Sequence, residues 1–101
     1  MTERIQVRID PDISELVPGF LENRQRDVGR LLALVASAAF SDIHLIGHSM
    51  KGAGGGYGFD RISELGAEIE RAALGADAAA VTTAARQLAD YLARLDVVLD
   101  A

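Results

Sequence analysis

Two histidines and a lysine occupy successive turns of one predicted helix. His44, His48 and Lys51 are spaced four and three residues apart, so they lie on one helical face. Lys51 is the single lysine among ten basic residues. A histidine is largely neutral at cellular pH, and the lone pair on its ring nitrogen can attack a phosphoryl group and carry it covalently. An ammonium group one turn away is suited to the phosphoryl oxygens. This pattern indicates phosphoryl chemistry at His48.

Glycines follow the histidine on the same side of the helix. Gly52 and Gly55 lie about one and two turns beyond His48. Each glycine in a helix interior costs about 1 kcal/mol relative to alanine, so their presence on an exposed face indicates close approach by another protein. The run from Gly54 to Gly56 predicts a loosened helix end. It matches neither the Gly-x-Gly-x-x-Gly nor the Gly-Lys-Ser/Thr pattern of phosphate-binding loops.

The elements that would position these residues are four amphipathic helices. Apolar residues recur at intervals of three and four after Pro18, which is the helical period. The predicted helices run from Pro18 to about Ala36, from Asp42 to just before Gly58, from Phe59 to Leu74 and from Asp77 to Leu99. Ser41 is the expected N-cap of the second helix. Short connections predict an all-α fold, an antiparallel up-down-up-down four-helix bundle.

Residues 1–17 are expected to form an N-terminal extension to a bundle domain spanning residues 18–101. Ile5, Val7 and Ile9 alternate with polar residues, which predicts a short extended segment. A short helix is expected over residues 11–17, because Asp10-Pro11 is a helix-start signal. The extended segment could be covered by its own domain, or its edge could pair with another chain.

The second helix has an apolar seam that defines the direction of His48. Its steps of three and four residues are typical of a bundle, and the seam consists of Ile43, Ile46, Met50, Ala53 and Tyr57. At about 100° per residue, His48 lies roughly opposite the centre of this seam. We therefore expect the imidazole to face solvent or a partner, while Met50 and Tyr57 lie in the core.

Composition narrows the classes of function. The chain has 101 residues, no cysteine and a net charge of −5. The lack of cysteine excludes disulfide scaffolds, thiolate zinc sites and cysteine nucleophiles. An acidic chain is poorly suited to nucleic acid, whose phosphates are neutralised by basic side chains. Neither a signal peptide nor a membrane-spanning run is apparent, so we expect a cytoplasmic protein without membrane contact. We also expect it to be a monomer.

The stretch His48-Ser49-Met50-Lys51-Gly52, with Gly58 ten residues after the histidine, resembles the motif of histidine-containing phosphotransfer (HPt) domains. Residues 62–65 and 68–73 are similar to the third helix of that family. The resemblance implies that His48 is the phosphoacceptor, that Lys51 stabilises the phosphoryl oxygens and that Gly52 leaves room for the partner. It implies a carrier rather than an enzyme. The implied partners are response-regulator receiver domains and histidine or hybrid kinases, and the implied Mg²⁺ belongs to the receiver, with no cofactor here.

Three alternatives remain open from the residues alone. The same bundle could be a non-catalytic module that binds receiver or kinase domains without phosphotransfer. His44 and His48, four residues apart, could hold a metal ion, although no third ligand is marked beyond nearby Asp42. His44 could instead be a neutral neighbour that tunes the protonation of His48. Together with Gly52 and Gly55, we expect it to contact the partner.

Overall fold

The computed structural model describes residues 3–100 and contains the four expected helices. They are α1 (Val17–Ala36), α2 (Phe40–Gly54), α3 (Asp60–Leu74) and α4 (Ala78–Arg94). Two strands, β1 (Ile5–Ile9) and β2 (Leu95–Leu99), and two single-turn 3₁₀ helices, Pro11–Ile13 and Gly55–Tyr57, complete the elements. The prediction of four helices is confirmed, and their up-down-up-down order stays a prediction. None of the helices in this part of the chain has the length and hydropathy to span a bilayer.

The two strands correct the prediction of a purely helical fold. β1 and β2 pair in parallel, with Ile5 opposite Leu95 and Ile9 opposite Leu99. The fourth helix therefore ends at Arg94 instead of continuing to Leu99. Leu95 is already extended, and the β-branched pair that follows it suits a strand. The pairing partner comes from the other end of the chain, so the helical pattern of the local sequence does not reveal it.

The extended N-terminal segment is confirmed as β1. It is covered by its own domain on the edge that pairs with β2, and Ile9 is buried in the core. The short helix expected over residues 11–17 is smaller, because only Pro11–Ile13 forms a 3₁₀ turn and α1 begins at Val17. The division of the chain at residue 17 stays a prediction.

The start of α2 also differs from the prediction. Ser41 does not cap it, because the helix begins at Phe40 and its N-cap residue is Ala39, which has no side-chain cap. Ala38 adopts a left-handed conformation (φ 55°) that reverses the chain between α1 and α2. The start of α4 is capped as its sequence suggests, since Asp77 accepts a hydrogen bond from the Ala80 N–H at 3.0 Å.

A single core joins the four helices and the sheet. Its fully buried large side chains are Leu31, Ile43, Met50, Phe59, Ile62, Leu65, Ile69, Val81 and Leu88. The expectation for Met50 is thus confirmed. Tyr57 is partly buried, and its ring stacks on that of Phe20 with centroids 4.3 Å apart.

Glycines allow α2 and α3 to pack closely. A Cβ atom added at Gly47 would lie 2.8 Å from the backbone nitrogen of Glu70. One added at Gly66 would lie 2.8 Å from the carbonyl oxygen of Gly47 and would also overlap the backbone nitrogen of Lys51. Gly54, expected to loosen the helix end, is buried against Ser63 in the same way. Because no side chain separates the two backbones, residues of α3 reach the face of α2 that carries His48.

Candidate functional site

His48 projects from the outer face of α2. Its side chain is 69% exposed, whereas Ile46 and Met50 on the opposite side of the helix are buried. The direction inferred from the apolar seam is therefore observed. An imidazole in this position can be reached by a reacting group on another protein.

One carboxylate on α3 holds both His48 and Lys51. Oε2 of Glu70 lies 2.7 Å from Nδ1 of His48, and Oε1 of Glu70 accepts a hydrogen bond from Nζ of Lys51 at 3.2 Å. The Glu70 side chain is only 15% exposed, while that of Lys51 is 51% exposed. The carboxylate thus lies beneath two more exposed groups and bridges them.

The packing of α2 on α3 explains the position of Glu70. Ile69 is fully buried in the core, so the next residue emerges at the rim of the interface. The backbone nitrogen of Glu70 lies against Gly47, which immediately precedes His48. A larger residue at Gly47 or Gly66 would push the helices apart and move the carboxylate away from the imidazole.

The charge of Glu70 determines which nitrogen of His48 carries the proton. The hydrogen bond from His48, followed by that from Lys51, lowers the pKa of Glu70 below its ordinary value of 4.5. Near neutral pH the group is therefore a carboxylate, which can only accept hydrogen bonds. Nδ1 of His48 must then be the donor. In the neutral ring this leaves the lone pair on Nε2.

Lys51 is anchored through its backbone as well. Its carbonyl oxygen accepts a hydrogen bond from the Ser63 hydroxyl at 2.9 Å, and the same hydroxyl accepts one from the Gly55 N–H at 2.8 Å. Ser63 thereby ties the last turn of α2 to α3. Gly55 lies at this junction, whereas Gly52 lies on the exposed surface, where an added Cβ would meet nothing within 4 Å.

His44 approaches the same carboxylate without a hydrogen bond. Its Nε2 is 3.7 Å from Oε2 of Glu70, and its ring is nearly parallel to that of His48, with centroids 6.3 Å apart. Within residues 3–100, no group of three or more histidine, aspartate and glutamate side chains is arranged to hold a metal ion. His44 thus lies beside the imidazole of His48, one turn earlier on α2 and on the side away from Lys51.

Sequence reasoning brought His44, His48, Lys51 and Gly52 together correctly on one face but missed Glu70. A signal was present in the spacing, because Gly66 and Glu70 are four residues apart and share a face of α3. Together with Gly47 on α2, they mark a close helix crossing with an acidic residue at its edge.

Comparison with known proteins shows which family the sequence matches. The family model described as Hpt domain matches residues 15–97 of the chain. No match was found among curated proteins or among solved structures. The matched range contains all four helices and every residue of the site described above, and it ends within β2.

Proposed function

The chain belongs to the Hpt domain family, and we propose that it is a phosphorelay carrier whose phosphoacceptor is His48. The observation that carries this proposal is the pairing of Nδ1 with the Glu70 carboxylate on an imidazole that is largely exposed. Nε2 is then the nucleophile. The donor is a receiver-domain aspartyl phosphate or a histidine kinase, and the acceptor is a receiver-domain aspartate.

The proposed reaction is a transfer of one phosphoryl group. The Nε2 lone pair attacks phosphorus, an N–P bond forms, and the P–O bond to the donor aspartate breaks with its electron pair leaving on the carboxylate. The Nδ1 proton stays in place during this step, so the phosphorylated ring becomes positively charged. Glu70, which carries a negative charge beside Nδ1, stabilises that product. The reverse reaction regenerates the free imidazole.

The surrounding residues have separate roles in the proposal. An ammonium group has three donors, so Lys51 can keep its bond to Glu70 and still donate to phosphoryl oxygens. Gly52 leaves open space in front of the site for the surface of the receiver. His44 lies beside the imidazole and contacts the partner. Gly55, just after the end of α2, is also part of the surface that contacts the partner.

The partner supplies the rest of the chemistry. Hpt domains are phosphotransfer carriers in two-component signalling that interact with receiver domains and kinases. In our proposal the Mg²⁺ ion and the catalytic carboxylates belong to the receiver, and this chain contributes no cofactor and works in the cytoplasm. It therefore has no turnover of its own.

The experiment is phosphotransfer from a receiver domain phosphorylated with a radioactive label. We expect an acid-labile, base-stable label on the chain, lost in His48→Gln and kept in His44→Gln. Binding of the receiver should survive His48→Gln. A chain that binds the receiver but never carries label would be a non-catalytic interaction module, and a label that persists without His48 would disprove the assignment.

A further inference from the structure

Two exposed leucines lie near the pair of histidines on α2. Leu74 is 74% exposed and Leu45 is 64% exposed, which makes them the most exposed large apolar residues within residues 3–100. Both line a groove between α2 and α3, together with Phe40 and His44. Leu45 also lines the neighbouring groove between α1 and α2. We call the surface formed by Phe40, His44, Leu45 and Leu74 the leucine patch.

The leucine patch adjoins the candidate phosphoacceptor. Leu45 is three residues before His48 on α2, so the two side chains are neighbours on the helix surface. The ring of His44 connects the patch to the imidazole, because it lies nearly parallel to the ring of His48 with centroids 6.3 Å apart. The patch and the imidazole therefore form one continuous surface.

Toward the end of α2, the surface around His48 is charged instead. The ammonium group of Lys51 lies there on the carboxylate of Glu70, and Gly52 leaves open space. The surroundings of the imidazole thus have two halves, an apolar half toward the start of α2 and a charged half toward its end.

A partner protein that reaches His48 also covers the leucine patch. Specific protein interfaces bury about 800 Å² on each partner, which corresponds to a disc with a radius of about 16 Å. Phe40, the residue of the patch farthest from His48 along α2, is about 12 Å away along the helix axis. An interface centred on His48 therefore extends over the patch. Exposed apolar surface with a polar rim is typical of such interaction sites.

We infer that the leucine patch is the docking surface for the receiver domain that exchanges phosphate with His48, and that the receiver covers it with an apolar surface of its own. This inference rests on the proposed function. The reactive aspartate of the receiver then lies toward Lys51. Burial of the leucines supplies affinity, whereas the charged half acts on the phosphoryl group.

The continuity of the patch with His48 is the reason for choosing a receiver as the occupant. Whichever protein is the donor, the acceptor in the proposed function is a receiver-domain aspartate, so a receiver has to dock around the imidazole. A second copy of this chain on the patch would cover His48 and block the transfer. The patch therefore suits the receiver and not a permanent neighbour.

Replacement of each leucine with glutamine tests the docking surface. Glutamine and leucine have similar helix propensities, so the helices are retained. With the phosphorylated receiver as donor, we expect Leu45→Gln and Leu74→Gln each to raise the receiver concentration at half-maximal labelling rate about fivefold or more. The rate at saturating receiver should change much less, because the leucines bind the partner without contacting the reacting atoms. Labelling by phosphoramidate, which is too small to cover the patch, should also change much less.

The matched control is Leu16→Gln. Leu16 is 58% exposed and immediately precedes α1, whose 20 residues span about 30 Å before the turn into α2. This variant should require the same receiver concentration as the unmodified chain. An equal rise in all three variants, or no rise in Leu45→Gln and Leu74→Gln, overturns the inference and leaves the proposed function intact, since His48 is still labelled. A chain that neither donor labels refutes the proposed function and the inference with it.

Binding without chemistry provides a second readout. When unphosphorylated receiver is added to the unmodified chain, the methyl NMR signals of Leu45 and Leu74 should shift, whereas those of Leu16 should not. Sedimentation of the chain alone tests a second copy as the occupant. A dimer that Leu45→Gln dissociates would assign the patch to self-association. Leucine variants that slow labelling by a histidine kinase but not by the receiver would assign it to the kinase, and either result overturns the inference.

Discussion

Glu70 on α3 reaches across the helix interface to within 2.7 Å of Nδ1 of His48 on α2. The imidazole is thus oriented by a residue from a different helix. Its environment combines an anchored Nδ1 with a side chain that is otherwise largely exposed. Any change in how α2 packs on α3 therefore alters the contact between Glu70 and the candidate phosphoacceptor, even when the substituted residue is buried.

Glu70→Ala should slow phosphotransfer without abolishing it. The variant removes the acceptor for the Nδ1 proton, so the proton distributes between the two ring nitrogens and less of the Nε2 nucleophile is present. We expect the initial rate of labelling from a phosphorylated receiver to fall about tenfold or more, as is usual when an orienting partner is lost. Nitrogen NMR of His48 should show the change from one dominant tautomer to a mixture.

The matched control for this variant is Glu68→Ala. Glu68 lies on the same helix but is 41% exposed and pairs with Arg61 rather than with the site. It should label at the rate of the unmodified chain. Equal rates for both variants, or an unchanged tautomer in Glu70→Ala, would contradict the orienting role.

Acid should weaken the fold partly through Glu70. Its pKa in the folded chain is lowered by the hydrogen bonds from His48 and Lys51, so the unfolded state binds a proton more readily. The contribution to stability is present above pH 4.5, the ordinary pKa, and is lost as the pH falls through the lower pKa of the folded state. Urea unfolding at about pH 7 and about pH 3 should show a smaller loss on acidification in Glu70→Gln than in the unmodified chain.

A control separates this effect from the general loss of surface charge. Glu64 is on the same helix, and its side chain is 63% exposed. Glu64→Gln should lose stability on acidification to the same extent as the unmodified chain. If Glu70→Gln does so as well, the bonded carboxylate is not the source of the pH dependence.

The helical part of the fold was predictable because its information is local. Periodic apolar residues defined all four helices, and Gly75 ends α3 as a C-cap residue. The helical spacing of Leu92, Leu95 and Leu99 was misleading, because it continues past Arg94 into a strand. What stabilises β2 is its pairing with β1, a contact between distant parts of the chain that no window of sequence contains.

The part of the site that lies on one helix was predictable, and the part contributed by a second helix was not. The face shared by His44, His48 and Lys51 follows from positions within one helix. Glu70 joins them through the close crossing of α2 and α3, which depends on how two helices pack. Gly47 and Gly66 make that close crossing possible. The sequence shows that they are glycines, but it does not show which backbone segment packs against each of them.

Gly66→Ala should destabilise the fold by separating these helices. The added methyl group would overlap the backbone of Lys51 and lie 2.8 Å from the carbonyl oxygen of Gly47, and backbone atoms cannot move aside as flexible side chains do. Overpacking of this kind costs about 1–3 kcal/mol in the free energy of unfolding. Gly29→Ala, in α1 with open space around the new methyl group, should instead stabilise the chain by up to about 1 kcal/mol. Equal effects in urea unfolding would contradict the close crossing.

Gly52→Gln should separate the approach of the partner from the chemistry of His48. Gly52 is exposed within α2, and an added Cβ meets nothing within 4 Å, so the fold accepts the larger side chain and gains helix propensity. That side chain projects into the space through which a receiver would reach the imidazole. We expect labelling from a phosphorylated receiver to slow about tenfold or more, the effect of a steric clash of about 1.4 kcal/mol. Labelling by a small phosphodonor such as phosphoramidate should be unchanged.

Gly29→Gln provides the matched control for Gly52→Gln. Gly29 is also exposed in a helix with open space around it, but it lies on α1. It should leave both labelling reactions at the rate of the unmodified chain. If Gly29→Gln slows the receiver reaction as much as Gly52→Gln does, the effect is a general one of placing a larger side chain on an exposed helix surface. If Gly52→Gln also slows the phosphoramidate reaction, the substitution disturbs His48 itself, and Gly52 is not a clearance for the partner.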